Sequence, residues 1–387
     1  MRSLLRFATP LASMVLLATT SLATTSCGSD DSSDTGGDAG TGASDGGARA
    51  DATTGTGGDG GSSGNDAGGS GTDGGPSTGD GGGTTPTSCS AATVGVNTDL
   101  HGYKFFPANH PLNTAIDKLP VNANSAGWMQ TCAGGKTNIR PDYSMPYNVA
   151  PASTPAVMAT SFMYNSTPYD NPWLIPGDAT YEDGPYTGAD DADHHCLVLS
   201  LADCQVYETY QMLWGDSAHT KFSATSGTIW STAGTGSATS SGTDAAGLPI
   251  LPTILREDEL VAGVISHALR FTCQQTLHGY IAPARAFASS QTDATRYAPM
   301  GARARLKSSF DATGGGKYSS RVQALFTAMK TYGIINADNG SGFFITAIPN
   351  LVTDTPRVWT DDDDAAVKAV TIDNLEFVDS GTIVTTD

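Results

Sequence analysis

Few side chains can move a proton near neutral pH, and two apolar stretches of this 387-residue chain carry three of them. In residues 194–210, HHCLVLSLADCQVYETY, a two-residue turn at Ala202 and Asp203 aligns Leu199 with Val206, Leu197 with Glu208 and His195 with Tyr210. That register sets His195 diagonal to Glu208 on one mostly apolar face and puts Cys196 and Cys204 on opposite faces. A second histidine, His267, falls in residues 264–273, ten residues without Gly or Pro that read as a strand, on the side shared with Ile265, Leu269 and Phe271. An unpartnered polar group on such a face costs on the order of 1–3 kcal/mol, so each of the three needs a partner. If His195, Glu208 and His267 meet in one cleft they form an acid–base centre. If backbone groups serve each of them separately there is none.

Positive charge could accompany that centre. Arg270 lies on the other side of the 264–273 strand. In MGARARLKSSF, Arg303, Arg305 and Lys307 alternate with smaller residues, which in strand geometry makes a basic row. Facing the cleft, these cations would hold an anionic sugar and favour a lyase or glycosidase; facing away, they form a solvated outer surface and leave binding as the better reading. Glycoside hydrolysis ordinarily uses two carboxylates, and only Glu208 is placed by this pattern. The chain has no CxxC, HExxH, GxSxG or phosphate-binding glycine loop, so no metal or cofactor is expected.

The elements that must position these residues are organised around residues 244–270. Gly247, Pro249 and Pro252 interrupt an apolar run there, which confines it to the edge or end of a sheet. Prolines punctuate residues 102–193 and exclude a long helix or central strand over most of them, so they read as coverage wrapped over a sheet. Tyr169, Trp173, Tyr181 and Tyr186 in that coverage either fill the groove beneath it or stack on a sugar. A helix is expected from Ser320, with Val322, Leu325, Phe326 and Met329 on one stripe and Gly333 past its end. Residues 334–348 suggest a hairpin turning at Asp338-Asn339-Gly340, and Thr360 with four aspartates starts a short terminal helix. Short alternating strands without a βαβ rhythm predict a mostly β domain, a β-sandwich of jelly-roll kind with one flanking helix and long irregular covering loops.

The ends of the chain set its location. Arg2 and Arg6 before a short apolar stretch form a signal peptide over residues 1–27, and Thr25-Ser26-Cys27 resembles a lipobox, making Cys27 the lipidation site. Residues 28–88 hold ten Asp against Arg49 alone and no large apolar residue, which predicts a disordered tether. Residues 89–387 then form a single globular domain, attached to a membrane only through the N-terminal lipid and facing an extracytoplasmic space, the outer membrane or cell surface where the host has two membranes. The net charge of −19 disfavours nucleic acid as a partner. In such an oxidising compartment the cysteines beyond Cys27 are odd in number; Cys89 and Cys132, flanking the first segment, are the expected bridge.

The segments TDAAGLPILPTILREDEL, SHALRF, APMGARARLKSSFD and ALFTAMKTYGIINADNGSGFFI resemble a group of uncharacterised secreted bacterial proteins over about residues 100–380. The resemblance implies one contiguous, predominantly β domain and supplies no catalytic residue. The sequence thus points to an extracytoplasmic lipoprotein that recognises or processes an extracellular polysaccharide, or to a surface-binding or structural protein without turnover.

Overall fold

The computed structural model describes residues 88–164, 172–189, 192–233, 238–239 and 242–385. The chain divides into Met1–Thr78 and Gly79–Asp387, and every described residue belongs to the second unit. The signal, Cys27, the tether up to residue 87 and Tyr169 lie outside the described residues.

The described residues are mostly sheet. Seventeen short strands form four mixed sheets, joined by five α-helices where the sequence suggests one flanking helix and a short terminal one. A five-stranded sheet runs Gly95–Val96, Asn148–Ala150, Cys196–Ser200, Gln205–Tyr210, Ser226–Ser231. Its central hairpin has the expected register, Leu199 opposite Val206 and Leu197 opposite Glu208. Both of its faces are buried. Leu197, Leu199 and Val206 join the larger core, while Cys196, Val198 and Tyr207 pack with Phe162, Trp173 and Phe222 in a second cluster. Trp173 and Tyr181 belong to that second cluster, so they fill the groove under the covering loops.

A six-stranded sheet runs Leu375–Phe377, Arg303–Leu306, Ile334–Asn339, Leu269–Cys273, Phe344–Thr346, Arg140–Asp142. The hairpin expected over residues 334–348 is not formed, because Leu269–Cys273 lies between its two arms, parallel to the first and antiparallel to the second. Residues 334–337 are fully buried and need a neighbour on both sides. The connection crosses the end of the intervening strand, with the Gly340 amide donating to Cys273 O and that of Phe343 to Thr272 O.

Two further expectations change. The 264–273 strand is shorter, Leu269–Cys273, since Glu257–Ala262 is a helix closed by Gly263 at φ 69°. Within the proline-rich region, the proline-free interval 121–140 admits a helix, Ser125–Ala133, closed by Gly134 at φ 54°. Of the remaining helices, Ser320–Thr331 is capped by Ser319, one residue before the Ser320 that with Gln323 suggests a capping box; Asp361–Lys368 carries a full capping box between Thr360 and Asp363; and the four-residue helix Asn350–Thr353 is not foreshadowed by the sequence.

The bridges are Cys89–Cys204 and Cys132–Cys273, and not Cys89 with Cys132. Closing a longer loop costs little more than closing a shorter one, so nearness in sequence is a poor guide to pairing. Cys132 ends a helix that packs on the strand ending at Cys273, whereas Cys89 reaches the turn of the central hairpin. Cys196, on the face opposite Cys204, is buried and unpaired. Two disulfides fit an oxidising compartment. Among the described residues no helix is long and apolar enough to cross a membrane.

Candidate functional site

His195, Glu208 and His267 do not converge. Glu208 is fully buried, its Oε1 accepting from the amides of Ile250 (2.9 Å) and Leu251 (3.0 Å) and its Oε2 from Trp230 Nε1 (2.8 Å). Burial pushes its carboxyl up, opposed by those three donors. Its role is to clamp the hairpin to the proline-interrupted bend, and it has no access to a ligand. His267 sits in a separate buried ion network: its Nε2 lies 3.0 Å from Glu259 Oε1 and its Nδ1 2.9 Å from Ala268 O. Glu259 also takes Arg256 Nη2 at 2.8 Å, and Arg256 reaches Asp258 and lies over the Phe105 ring. The charged run at 256–259 is thus a structural brace around the short helix.

The basic row is dispersed as well. Arg303 is buried and donates to the carbonyls of Pro111 (2.9 Å) and Tyr332. Arg305 pairs with Glu376 at 2.9 Å and donates to Ile116 O at 2.7 Å. Lys307 borders a shallow groove of about 690 Å³ beside Met129, Leu375 and Glu376. Alternation along a strand puts these residues on one face, but carbonyls and an acid of the neighbouring segments cover that face and absorb the donors. None of the three reaches the cleft that holds His195.

That cleft, about 390 Å³, opens at the end of the central hairpin. Asp193, His195, Tyr210, Thr243, Asp244 and Asp338 border it, with Tyr164 and Asn339 at its rim. His195 is held from two sides. Its Nδ1 donates to Glu182 Oε2 (2.7 Å) and its Nε2 to Thr243 O (3.0 Å). A carboxylate and a carbonyl can only accept, so the ring stands as an imidazolium. Burial opposes that charge, yet the bond to Glu182, its charge and the Thr243 carbonyl win and push the pKa up to about 9. Burial would raise Glu182 in turn, but His195 and the Ser144 hydroxyl hold it below its ordinary value. The Glu182 amide donates to the His195 carbonyl, which docks the covering loop on the hairpin.

Arg270 underlies the other wall. Its Nη2 lies 3.4 Å from Asp244 Oδ2 and 3.8 Å from Asp338 Oδ2, while Nε and Nη1 have no hydrogen-bond partner among the described residues. Asp244 is placed by a tight turn in which its Oδ1 accepts from Leu248 N and Gly247 takes φ 64°. A bulge places Asp338. Ala337 is skipped in the pairing with Leu269–Cys273, so Asp338 comes opposite Thr272, and the Ala337 carbonyl accepts from Ala246 N. Burial raises both carboxyls above their ordinary range, and Arg270 only partly offsets it. Tyr210 is pushed up to about 12, by burial first and then by the charge of Asp193, to which its hydroxyl is bonded.

Glu182, Asp193 and His195 each bring one potential metal-ligand atom within 4.8 Å of the others. Both nitrogens of His195 already donate to acceptors, so the ring has no lone pair to give and the set does not fit a metal in this arrangement.

No family model, curated protein or solved structure matches this chain. Its cleft must be read from its own chemistry. Of the residues picked from sequence, His195 borders the cleft and Arg270 supports it; Glu182, Asp193, Asp244, Asp338 and Tyr210 were missed as site residues. Asp244 opens the organising stretch and Asp338 stands in an apparent turn, but nothing in their spacing shows that a bulge and a tight turn bring them to one guanidinium.

Proposed function

We propose that the chain is a lipoprotein anchored through Cys27 that recognises an extracellular glycan in the Asp193–His195–Asp338 cleft. The observation that carries the reading is the combination of two tyrosines, Tyr164 and Tyr210, with the carboxylates of Asp193 and Asp338 around one open cavity. Aromatic faces stack on the C–H face of a sugar, and carboxylates accept from its hydroxyls. The dispersal of Arg303, Arg305 and Lys307 favours binding over the lyase chemistry that a cationic cleft would support. The sandwich arrangement expected from strand alternation belongs to this proposal too, with the five-stranded sheet, covered on both faces, as one of its two layers. So does membership of the secreted group that the sequence resembles.

A glycan array followed by titration calorimetry tests the reading. Tyr164 is 60% exposed, so Tyr164→Ala should leave the fold intact and weaken binding several-fold. Failure of the wild type to bind any glycan would replace this function with a structural role at the surface. Processing rather than binding would draw on Asp338, whose carboxyl is raised by burial and whose side chain, beside Arg270, is 27% exposed to the opening. Release of reducing ends from a polysaccharide by the wild type, and not by Asp338→Asn, would establish that second reading.

A further inference from the structure

We propose that this cleft selects glycans bearing free amino groups. The inference rests on the glycan reading above and specifies its ligand class.

Internal pairing leaves the cavity anionic. The charge of His195 is committed to Glu182, and the nearer partner of Arg270 is Asp244. Asp193 is exposed and the side chain of Asp338 is 27% exposed, so two carboxylates still face the opening, and among the described residues no Lys or Arg borders it. Such a surface repels an anionic sugar and attracts an ammonium. Tyr164 and Tyr210 add ring faces, which draw a cation as well as stack a sugar. A third, independent feature points to a ligand. Thr243 is 6% exposed and borders the cavity, yet its enclosed hydroxyl has no partner among the described residues. A buried hydroxyl left in this state is destabilising, and an amino sugar offers both an N–H to be accepted and an oxygen to accept. The ammonium would also add to the counter-charge that Arg270, 3.8 Å away and nearer to Asp244, gives Asp338.

The amine could belong to a sugar or to a free polyamine, and the test separates them. Full-length protein in detergent is titrated with a glucosamine tetramer, the N-acetylglucosamine tetramer of the same length, and spermidine. The expected result is a preference of about tenfold for the deacetylated tetramer at low salt, the size of one partly buried charge contact. The preference should shrink as salt is raised, because screening weakens only the charged contact. Asp338→Asn, which keeps an acceptor oxygen and removes the charge, should abolish the preference by weakening the deacetylated tetramer about tenfold more than the acetylated one, whereas Asp362→Asn, an exposed acid elsewhere, should change neither. Tyr164→Ala, at an exposed position, should weaken both tetramers and guards against a folding failure of Asp338→Asn. Equal or tighter binding of the acetylated tetramer overturns amine selection and leaves glycan recognition standing. Spermidine binding as tightly as the deacetylated tetramer overturns both, as does the absence of binding by either tetramer.

Discussion

The buried titratable residues of this chain are sorted by what each can reach within hydrogen-bond distance. His195 reaches two acceptors and becomes a fixed cation; Glu208 reaches three donors and becomes a fixed acceptor. The His195–Glu182 pair makes a pH-dependent contribution whose sign follows from the shifts. His195 is raised from 6.5 to about 9 on folding, so its contribution is full below pH 6.5 and is lost as pH rises through about 9. Glu182 is lowered, so its contribution is present above its ordinary value and is lost as acid protonates it. Thermal melts of the wild type should therefore fall from pH 7 to pH 10 more steeply than those of His195→Gln. Parallel curves for the two proteins would show that the ring is neutral in the folded state.

At the scale of elements, Glu208 joins the central hairpin to the bend at 248–253. Its Oε1 accepts from the amides of Ile250 and Leu251, which the prolines there leave without a ladder partner, and its Oε2 from the Trp230 indole. Glu208→Ala orphans three buried donors and should cost on the order of 3 kcal/mol or more in denaturant unfolding. Glu208→Gln keeps one acceptor oxygen and should cost less. An alanine variant as stable as wild type would mean that water replaces the carboxylate. The bulge at Ala337 is the other joint that matters, because it turns Asp338 toward Arg270 and gives the Ala246 amide a carbonyl.

Across the whole molecule, the disulfides join residues 115 and 141 positions apart, so each constrains a large part of the unfolded chain. Loss of either should cost about 2–5 kcal/mol. Non-reducing peptide mapping should recover Cys89 linked to Cys204 and Cys132 linked to Cys273. Burial pushes the Cys196 thiol up, so it should resist alkylation until the protein unfolds. Rapid labelling of Cys196 in the native protein, or a Cys89–Cys132 peptide, would contradict this arrangement.

By itself the sequence determined what depends on neighbours along the chain. The central hairpin register, the two capped helices at 320 and 361 and the β-rich character follow from alternation, capping residues and turn chemistry, which act over a few positions. The tertiary structure alone decided which distant groups meet. Glu182 and Asp193 at His195, Asp244 and Asp338 at Arg270, Cys89 at Cys204 and Cys132 at Cys273 are pairings between segments whose separation carries no period. Likewise the 334–348 segment resembled a hairpin because its local pattern could not show that a third strand lay between its arms. Hydrogen-bond and charge demand tells a buried residue that it must have a partner, but packing of whole elements selects which one.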